Sequence, residues 1–414
     1  MKKNILVVGP CLSQSGYGYQ TVFALKALRS REDLFNIYVQ PTSWGKTGWV
    51  WEDNEFRSWL DSRITESQIL IQKNQLPVDM TLQVTIPNEW RKISEINIGY
   101  TAGIETSKVA PVWLQKGNEA VSKILVVSEH AKQTYKNTSV TVTNSKTGET
   151  FPYSLKTPIE VVHELTERAE PEPLEKLQLE YDFNFLCLSQ WSPRKNFTNT
   201  IQWWVEEFID QEVGLVVKTN LMCNSLKDRH FTEVKIKQLL EKYPDRKCKV
   251  YLLHGDLTSG QMTGLYNNDK IKALINLSHG EGFGLPLFEA AREALPVITV
   301  PWSGHMDFLS HGGNNYFEAV EYKLKPVQPE AAWEGVIERD SMWAYADQGS
   351  YKMALRKVYK NWESTKQTAI ALQEINKVRF DEQLKYKGFI DAILGFDSSL
   401  LMPDDGDEEL LEFE

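Results

Sequence analysis

Residues 278–289 read SHGEGFGLPLFE and directly follow the apolar run IKALINL at residues 271–277. The run consists mostly of bulky apolar residues and predicts a buried strand. A carboxylate, Glu281, lies inside the glycine-rich turn that comes next. Pro286 suits the first turn of a helix, where a missing N–H costs nothing, and we expect that helix over about residues 287–292. A strand, a turn and a helix start in this order present free backbone N–H groups and a positive helix end to an anion.

The glycines of this turn, Gly282 and Gly284, allow a ligand to approach the backbone closely and can adopt positive φ. An ordinary turn with a solvated Glu281 is the alternative, because glycine turns are common. The full pattern is more specific. Seven residues separate Glu281 from Glu289, and Gly-Phe-Gly, with Phe283 at its centre, follows the first glutamate. This pattern resembles the donor-site signature of retaining GT-B glycosyltransferases of family 4.

Length and composition agree with a two-domain globular protein. The chain has 414 residues, more than one hydrophobic core usually holds. Hydrophobic residues make up 42% and charged residues 25% of the chain, as in soluble proteins. The sequence contains no run of about 20 apolar residues that would cross a membrane. Its apolar start is too short for a signal peptide and predicts a first strand instead.

Cysteine spacing and charge exclude several other classes. The four cysteines are widely scattered and the seven histidines form no ligand cluster, so we expect no protein-bound metal and a reducing, cytoplasmic location. Residues 397–414 carry eight acids and no base, which leaves only −2 of the net charge of −10 for residues 1–396. A near-neutral body gives no general support for binding to nucleic acid or membranes.

The resemblance extends over nearly the whole chain and implies an α/β fold of the GT-B class. Such a fold has two Rossmann-like domains facing each other across a cleft, with a C-terminal helix that crosses back to the first domain. We expect an N-terminal acceptor-side domain at residues 1–170 and a nucleotide-sugar donor domain at residues 178–378, joined by a Glu- and Pro-rich linker. The returning helix is expected at residues 379–396 and an acidic tail at residues 397–414.

In the N-terminal domain, a first strand at residues 4–8 leads into a glycine loop at residues 10–18 and then into a helix. This is the layout of half a Rossmann domain, although it lacks the full dinucleotide fingerprint. In GT-B enzymes the equivalent loop faces the donor diphosphate, which makes Gly16 and Gly18 candidates for that role. A tight turn without a ligand is the alternative.

Two further N-terminal features are candidates for the acceptor side. The loop WGKTGWVW at residues 44–51 contains three tryptophans, and we select Trp49 as part of an acceptor platform. The alternative is a loop held by aromatic packing. Glu105 lies in a Glu-Thr turn that precedes a Pro-x-Trp helix, as in the family, and would then face the acceptor. A helix-capping or structural role is the alternative.

The second domain supplies the candidates for the diphosphate and the base. Family members carry an arginine and, five residues later, a lysine in the turn after the first strand. Lys195 matches the lysine, whereas Gln190 occupies the arginine position and departs from the pattern. Arg194 is adjacent to Lys195 and is our candidate substitute. A solvated surface position is the alternative for Lys195. The turn that begins at His254 resembles the segment that binds the donor base.

The resemblance also implies roles within the signature. Glu289 would bind the ribose hydroxyls, the backbone from Gly282 to Leu285 would bind the sugar, and Glu281 would bind sugar hydroxyls near the anomeric carbon. The acceptor hydroxyl would attack with retention, without a metal or cofactor, on a UDP- or GDP-sugar used as substrate. Many family members have a histidine in the N-terminal domain near the donor sugar, and neither His130 nor His163 lies at the expected place.

Three competing readings remain open at this point. A glycoside hydrolase also needs two carboxylates, but a phosphate-type turn fits a nucleotide donor better. A sugar-nucleotide-binding protein without catalysis would explain the Gln190 departure and the missing histidine. A glycosyltransferase that modifies nucleic-acid bases is the third, and the near-neutral body does not favour it. The hydroxyl acceptor itself is not specified by the sequence.

Overall fold

The computed structural model describes residues 2–45, 47–49, 52–144, 146–395 and 411–413. Contacts within the chain divide it into two compact units. Unit 1 contains residues 1–165, 332–341 and 382–414, and unit 2 contains residues 166–331 and 342–381. The predicted boundaries assigned residues 332–341 to the second domain, and no composition change in the sequence marks their place in unit 1.

Unit 1 alternates strands and helices over most of its length. Its elements are β1 (Lys3–Gly9), α1 (Gly16–Arg29), β2 (Phe35–Pro41), α2 (Glu55–Gln72), β3 (Met80–Gln83), β4 (Ile96–Thr101), α3 (Pro111–Ala120), β5 (Lys123–Val126), α4 (Glu129–Asn137), β6 (Ser139–Asn144), β7 (Thr150–Ser154) and β8 (Ile159–Val161). Six strands form a parallel sheet in the order β2-β1-β3-β4-β5-β8, while β6 and β7 form an antiparallel hairpin.

Unit 2 repeats this plan. Its elements are β9 (Asn184–Leu188), α5 (Phe197–Phe208), β10 (Gly214–Lys218), α6 (Leu226–Leu240), β11 (Lys249–Leu253), α7 (Ser259–Tyr266), β12 (Ile271–Asn276), α8 (Leu285–Arg292), β13 (Val297–Thr299), α9 (Met306–Leu309), β14 (Ser310–His311), β15 (Asn314–Asn315), β16 (Glu318–Ala319), β17 (Tyr322–Pro326), β18 (Met342–Ala346), α10 (Gln348–Lys360) and α11 (Trp362–Arg379). Six strands form a second parallel sheet, in the order β11-β10-β9-β12-β13-β16.

Helix α5 illustrates why these segments fold as they do. Its buried residues Ile201, Trp204, Val205 and Phe208 recur at intervals of three, one and three positions, which places them on one face of a helix. They pack against Phe185 of β9 and the rest of the unit 2 core. Apolar runs such as the one in β12 are buried on both faces of the sheet because helices cover each side.

The chain ends in unit 1. Helix α12 (Glu382–Leu394) packs on α1, with the rings of Phe389 and Phe23 5.8 Å apart, as the predicted fold class requires. The Lys123 ammonium donates to the carbonyl oxygen of Ala392 at 2.8 Å. A short strand β19 (Leu411–Phe413) pairs with β6, and the rest of the acidic tail lies outside the described residues. Among the described helices, none has the length and hydropathy needed to cross a bilayer.

Candidate functional site

The order of the strands creates a switch point in the unit 2 sheet. Strand β9 lies between β10 and β12, so the connections after β9 and β12 leave the edge of the sheet on opposite sides. Ligands of open parallel sheets bind in the crevice at such a point. The connection after β9 carries Arg194 and Lys195, and the connection after β12 carries Glu281. The fold therefore brings these candidate residues together although 85 residues of chain separate Lys195 from Glu281.

The three side chains form a buried ionic cluster. The Lys195 Nζ lies 2.6 Å and 2.8 Å from the two carboxylate oxygens of Glu281. The Arg194 Nη1 lies 3.2 Å from Glu281 Oε2 and donates to the carbonyl oxygen of Gly280 at 2.7 Å. Burial opposes ionisation of Glu281, but the charges of Lys195 and then Arg194 outweigh it and hold the pKa of this carboxyl well below its usual range. The cluster thus carries two positive charges and one negative charge.

A short 3₁₀ turn, Pro193–Lys195, presents both cations. It ends at Asn196, whose φ of 52° reverses the chain before α5 begins. Arg194 therefore points to the same carboxylate as its neighbour Lys195, which the sequence alone did not establish. Gln190, which occupies the position where the sequence resemblance led us to expect an arginine, donates to the carbonyl oxygen of Leu221 at 3.0 Å.

The turn that contains Glu281 is fixed by the turn after β13. The Glu281 N–H donates to Ser303 Oγ at 2.9 Å, and the Gly304 N–H donates to the Glu281 carbonyl at 2.9 Å. Ser303 adopts a φ of 88°, an unfavourable conformation for a residue with a side chain. A Cβ on Gly304 would lie 1.8 Å from the carbonyl oxygen of Gly282, so no other residue fits there. Two neighbouring turns therefore hold each other in one arrangement.

The remaining residues of the signature contribute either backbone groups to the site or side chains to the core. Gly284 has a φ of 98° and precedes α8 as its N-cap, and Leu285 is the first, half-buried residue of that helix. Gly282 is buried. Phe283 packs among Phe288, Phe308 and Phe380, so its ring belongs to the core and only its backbone is positioned to meet a ligand.

Glu289 is the fifth residue of α8, and its carboxylate accepts a hydrogen bond from the Tyr266 hydroxyl at 2.9 Å. Burial raises the pKa of Glu289, while Arg292, Tyr266 and Thr166 act in the opposite direction. The two glutamates of the signature therefore differ electrostatically: the cations beside Glu281 outweigh its burial, whereas at Glu289 burial outweighs the opposing effects of Arg292, Tyr266 and Thr166.

The side chain of His254 is engaged within the protein. Its Nε2 lies 2.9 Å from Asp228 Oδ1, and only 3% of the side chain is exposed. Burial opposes ionisation of Asp228, but His254 and the N–H groups of Leu221, Met222 and Cys223 lower its pKa to about 2. This contact ties the connection after β10 to the connection after β11, so His254 shapes the two loops through its side chain.

Unit 1 has its own switch point at β1, which lies between β2 and β3. Helix α1 begins at Gly16, earlier than predicted, because Ser15 caps it by accepting a hydrogen bond from the Gly18 N–H. Gly16 is exposed with open space around it, whereas a Cβ on Gly18 would lie 1.9 Å from the carbonyl oxygen of Ser13. Both candidate glycines thus belong to the first helical turn.

The acceptor-side candidates lie in loops of unit 1. Trp49 is 73% exposed and forms an isolated bridge with Ser13. Trp44 of the same loop packs on Tyr17 with a ring separation of 4.3 Å, whereas Trp51, Lys46 and Val50 lie outside the described residues. Glu105 is half-buried in the connection after β4.

Sequence reasoning missed Ser303 and His279, which hold the site in the structure. Ser303 lies in the connection after β13, four residues beyond Thr299, so its position at the carboxyl edge of the sheet was a usable signal. His279 lies inside the quoted stretch, in the connection after β12, but a single buried histidine there has no distinctive spacing.

No protein-family model matches the chain, and no curated protein sequence shows significant similarity to it. Solved structures do match. Anabaena HepE, in complex with UDP and glucose, has a TM-score of 0.58 at 12% identity, covering 95% of this chain and 100% of HepE. Sucrose-phosphate synthase from Thermosynechococcus elongatus has a TM-score of 0.60 at 11% identity, covering 95% of this chain and 98% of its own. The apo structure of OtsA has a TM-score of 0.60 at 10% identity, covering 96% of this chain and 100% of OtsA. These similarities show that the chain has the GT-B fold.

Proposed function

We propose that this protein is a retaining glycosyltransferase of the family 4 type, which transfers a sugar from a UDP- or GDP-sugar to a hydroxyl acceptor without a metal ion. The observation that carries the proposal is the convergence of Lys195 and Arg194 on Glu281 at the switch point of unit 2. The GT-B fold supports it, and so does the binding of UDP and glucose by HepE.

Lys195 and Arg194 bind the donor diphosphate in this proposal. As the glycosidic bond breaks, negative charge grows on the departing diphosphate, and two fixed cations stabilise that charge more than they stabilise the ground state. Glu281 holds both cations in the structure. The protein's own contacts thus fix their positions, which reduces the reorganisation needed for catalysis.

The two glutamates then bind different parts of the donor. Glu281 remains ionised because its pKa is held low, so its oxygens accept hydrogen bonds from sugar hydroxyls near the anomeric carbon. Glu289 binds the ribose hydroxyls, with Tyr266 orienting its carboxylate. The backbone N–H groups between Gly282 and Leu285 face the sugar at the start of α8. The acceptor attacks from the face that the diphosphate leaves, and a phosphate oxygen takes its proton.

Unit 1 supplies the acceptor side and part of the donor loop in the same proposal. Gly16 and Gly18, in the first turn of α1, offer backbone to the diphosphate. Glu105 and the exposed Trp49 contact the acceptor. His254 contacts Asp228 and thereby holds the loops that bind the donor base. The four free cysteines agree with the proposed cytoplasmic location.

A panel of UDP-, GDP-, ADP- and dTDP-sugars tests the proposal by thermal shift and donor hydrolysis, with EDTA present. We expect one nucleotide sugar to stabilise unit 2 and to be hydrolysed slowly. Lys195→Met should weaken that binding at least tenfold. Lys352→Met is the control, because Lys352 forms an ion pair of similar length, 2.7 Å, with Glu206 at a more exposed place in unit 2. Stabilisation without turnover on any acceptor would favour a non-catalytic binding protein, and turnover only with modified nucleic-acid bases would favour the third reading. No shift with any donor would refute the donor site.

A further inference from the structure

His279 connects the two turns of the site to a hairpin outside it. Its N–H donates to the Arg194 carbonyl at 2.8 Å, and its carbonyl oxygen accepts from the Ala344 N–H at 2.9 Å. Ala344 belongs to β18, which pairs with β17 in an antiparallel hairpin. Only 1% of His279 is exposed. One buried residue thus joins the cation-bearing turn, the Glu281 turn and the β17–β18 hairpin.

The hydrogen bonds of the ring define its tautomer. Nδ1 lies 2.6 Å from the Ala344 carbonyl oxygen, which can only accept, so Nδ1 carries the proton. Nε2 lies 3.2 Å from Gln328 Nε2, which can only donate, so the Nε2 of His279 is the acceptor. With the Gln328 amide in this orientation, the two bonds together require a neutral imidazole. The other amide atom, Gln328 Oε1, is buried and has no partner among the described residues.

Aromatic rings enclose the imidazole on the hairpin side. Trp343 stacks on it at an angle of 22° with 4.9 Å between ring centroids, and Tyr345 lies at 4.5 Å. Burial lowers the pKa of His279 and the charge of Arg194 lowers it further, whereas the bond to Ala344 acts in the opposite direction. The charged or titratable groups on the turns of Arg194 and Glu281, on β17 and β18 and beside Gln328 are Arg194, Lys195, Glu281, Tyr322, Lys323, Lys325, Glu330 and Tyr345.

We propose that His279, in its neutral form, is a positioning residue through which the β17–β18 hairpin holds Arg194 and Glu281 in the geometry that binds a nucleoside diphosphate. This inference rests on the proposed function for the identity of the ligand. Protonation of the ring puts a second proton on Nε2, which then faces the donor amide of Gln328. The hydrogen bond between His279 and Gln328 is then lost, or the Gln328 amide must rotate so that its Oε1 accepts from the ring. Binding should therefore weaken at acid pH through a residue that does not touch the ligand.

The first test is calorimetry with UDP and GDP between pH 5 and pH 8. His279→Leu should raise the Kd about tenfold, the effect of losing one or two buried hydrogen bonds. His279→Asn keeps a hydrogen-bond donor near the position of Nδ1 and should reverse at least half of the increase in log Kd. Gln328→Leu removes only the hydrogen bond to His279 Nε2. Its Kd should therefore rise less than that of the wild type as the pH falls from 8 to 5. His311→Asn is the matched control, because His311 is exposed in the same unit.

Hydrogen exchange in the ligand-free protein gives a second test that does not depend on nucleotide binding. The amides of residues 280–288 should exchange about tenfold faster in His279→Leu than in the wild type, with no change in His311→Asn. The positioning role would be overturned if the amides of residues 280–288 exchanged at the wild-type rate in His279→Leu. An unchanged Kd in a folded His279→Leu variant would overturn it as well. Faster exchange in a protein that binds no nucleotide would instead retain the positioning role and reject the proposed function.

Discussion

Replacement of Glu281 by glutamine tests the ionic cluster most directly. Glutamine keeps the size of the side chain but leaves two cations, Lys195 and Arg194, without their carboxylate. The side chains of Glu281 and Lys195 are only 6% and 12% exposed, so water cannot replace the lost partner fully. Removing one partner of a buried ion pair costs about 3–5 kcal/mol, and we expect a loss in this range in the free energy of unfolding of unit 2.

The measurement is urea denaturation at pH 7, with and without UDP or GDP. A nucleoside diphosphate supplies the negative charge that the variant lacks, so ligand should stabilise Glu281→Gln more than it stabilises the wild type. Sugar transfer should be lost even in the folded, ligand-bound variant, because glutamine cannot accept hydrogen bonds at both of its terminal atoms.

The double variant Lys195→Met/Glu281→Gln completes a double-mutant cycle. It removes a cation together with the carboxylate, and we expect it to regain more than half of the stability that Glu281→Gln loses. A free energy of unfolding for Glu281→Gln within 1 kcal/mol of the wild type would refute the description of this cluster as a charge-compensated buried site. A double variant less stable than Glu281→Gln would refute it as well.

Three further predictions concern other parts of the chain. Burial raises the pKa of Glu164 to about 8, so folding takes up a proton between pH 4.5 and 8. In urea denaturation, Glu164→Gln should therefore be as stable as the wild type at pH 4 but more stable than the wild type by a few kcal/mol at pH 8. Ser303→Gly should be less destabilising than Ser303→Ala by about 1 kcal/mol in thermal unfolding, because both lose the hydroxyl but only alanine keeps the strained φ. Gly18→Ala should destabilise unit 1 by more than 2 kcal/mol through its clash with the Ser13 carbonyl, whereas Gly16→Ala, in open space, should be neutral or slightly stabilising. Equal effects of the two alanine variants would contradict that packing.

The sequence predicted much of the fold because its strands and glycine turns have strong local signals. The apolar run before Glu281 became β12, and α12 (Glu382–Leu394) lies within the residues 379–396 predicted for the returning helix. The fold class was confirmed by the solved structures that match. Helix α2 was missed, since its residues show only a weak apolar face and Ile69 is 46% exposed.

The candidate site was predicted only in part, because its geometry depends on contacts between distant residues. The spacing of Glu281 and Glu289 pointed to the turn and α8, but only the fold shows that Arg194 shares a carboxylate with Lys195. The positive φ of Ser303 has no local signal, because serine rarely adopts it. The roles assigned to these residues in donor binding stay predictions.

The return of the chain to unit 1 has a consequence for synthesis on the ribosome. Strand β5 and helix α1 obtain contacts from Ala392 and Phe389, which are translated after all of unit 2. The residues of unit 2 end at Asp381, so unit 2 has its complete set of residues while unit 1 still lacks its last helix. We therefore expect the C-terminal half to reach its native state first and the N-terminal half to wait, the reverse of the usual order for multidomain chains. A chain cut after Asp381 should yield a folded unit 2 beside an incomplete unit 1.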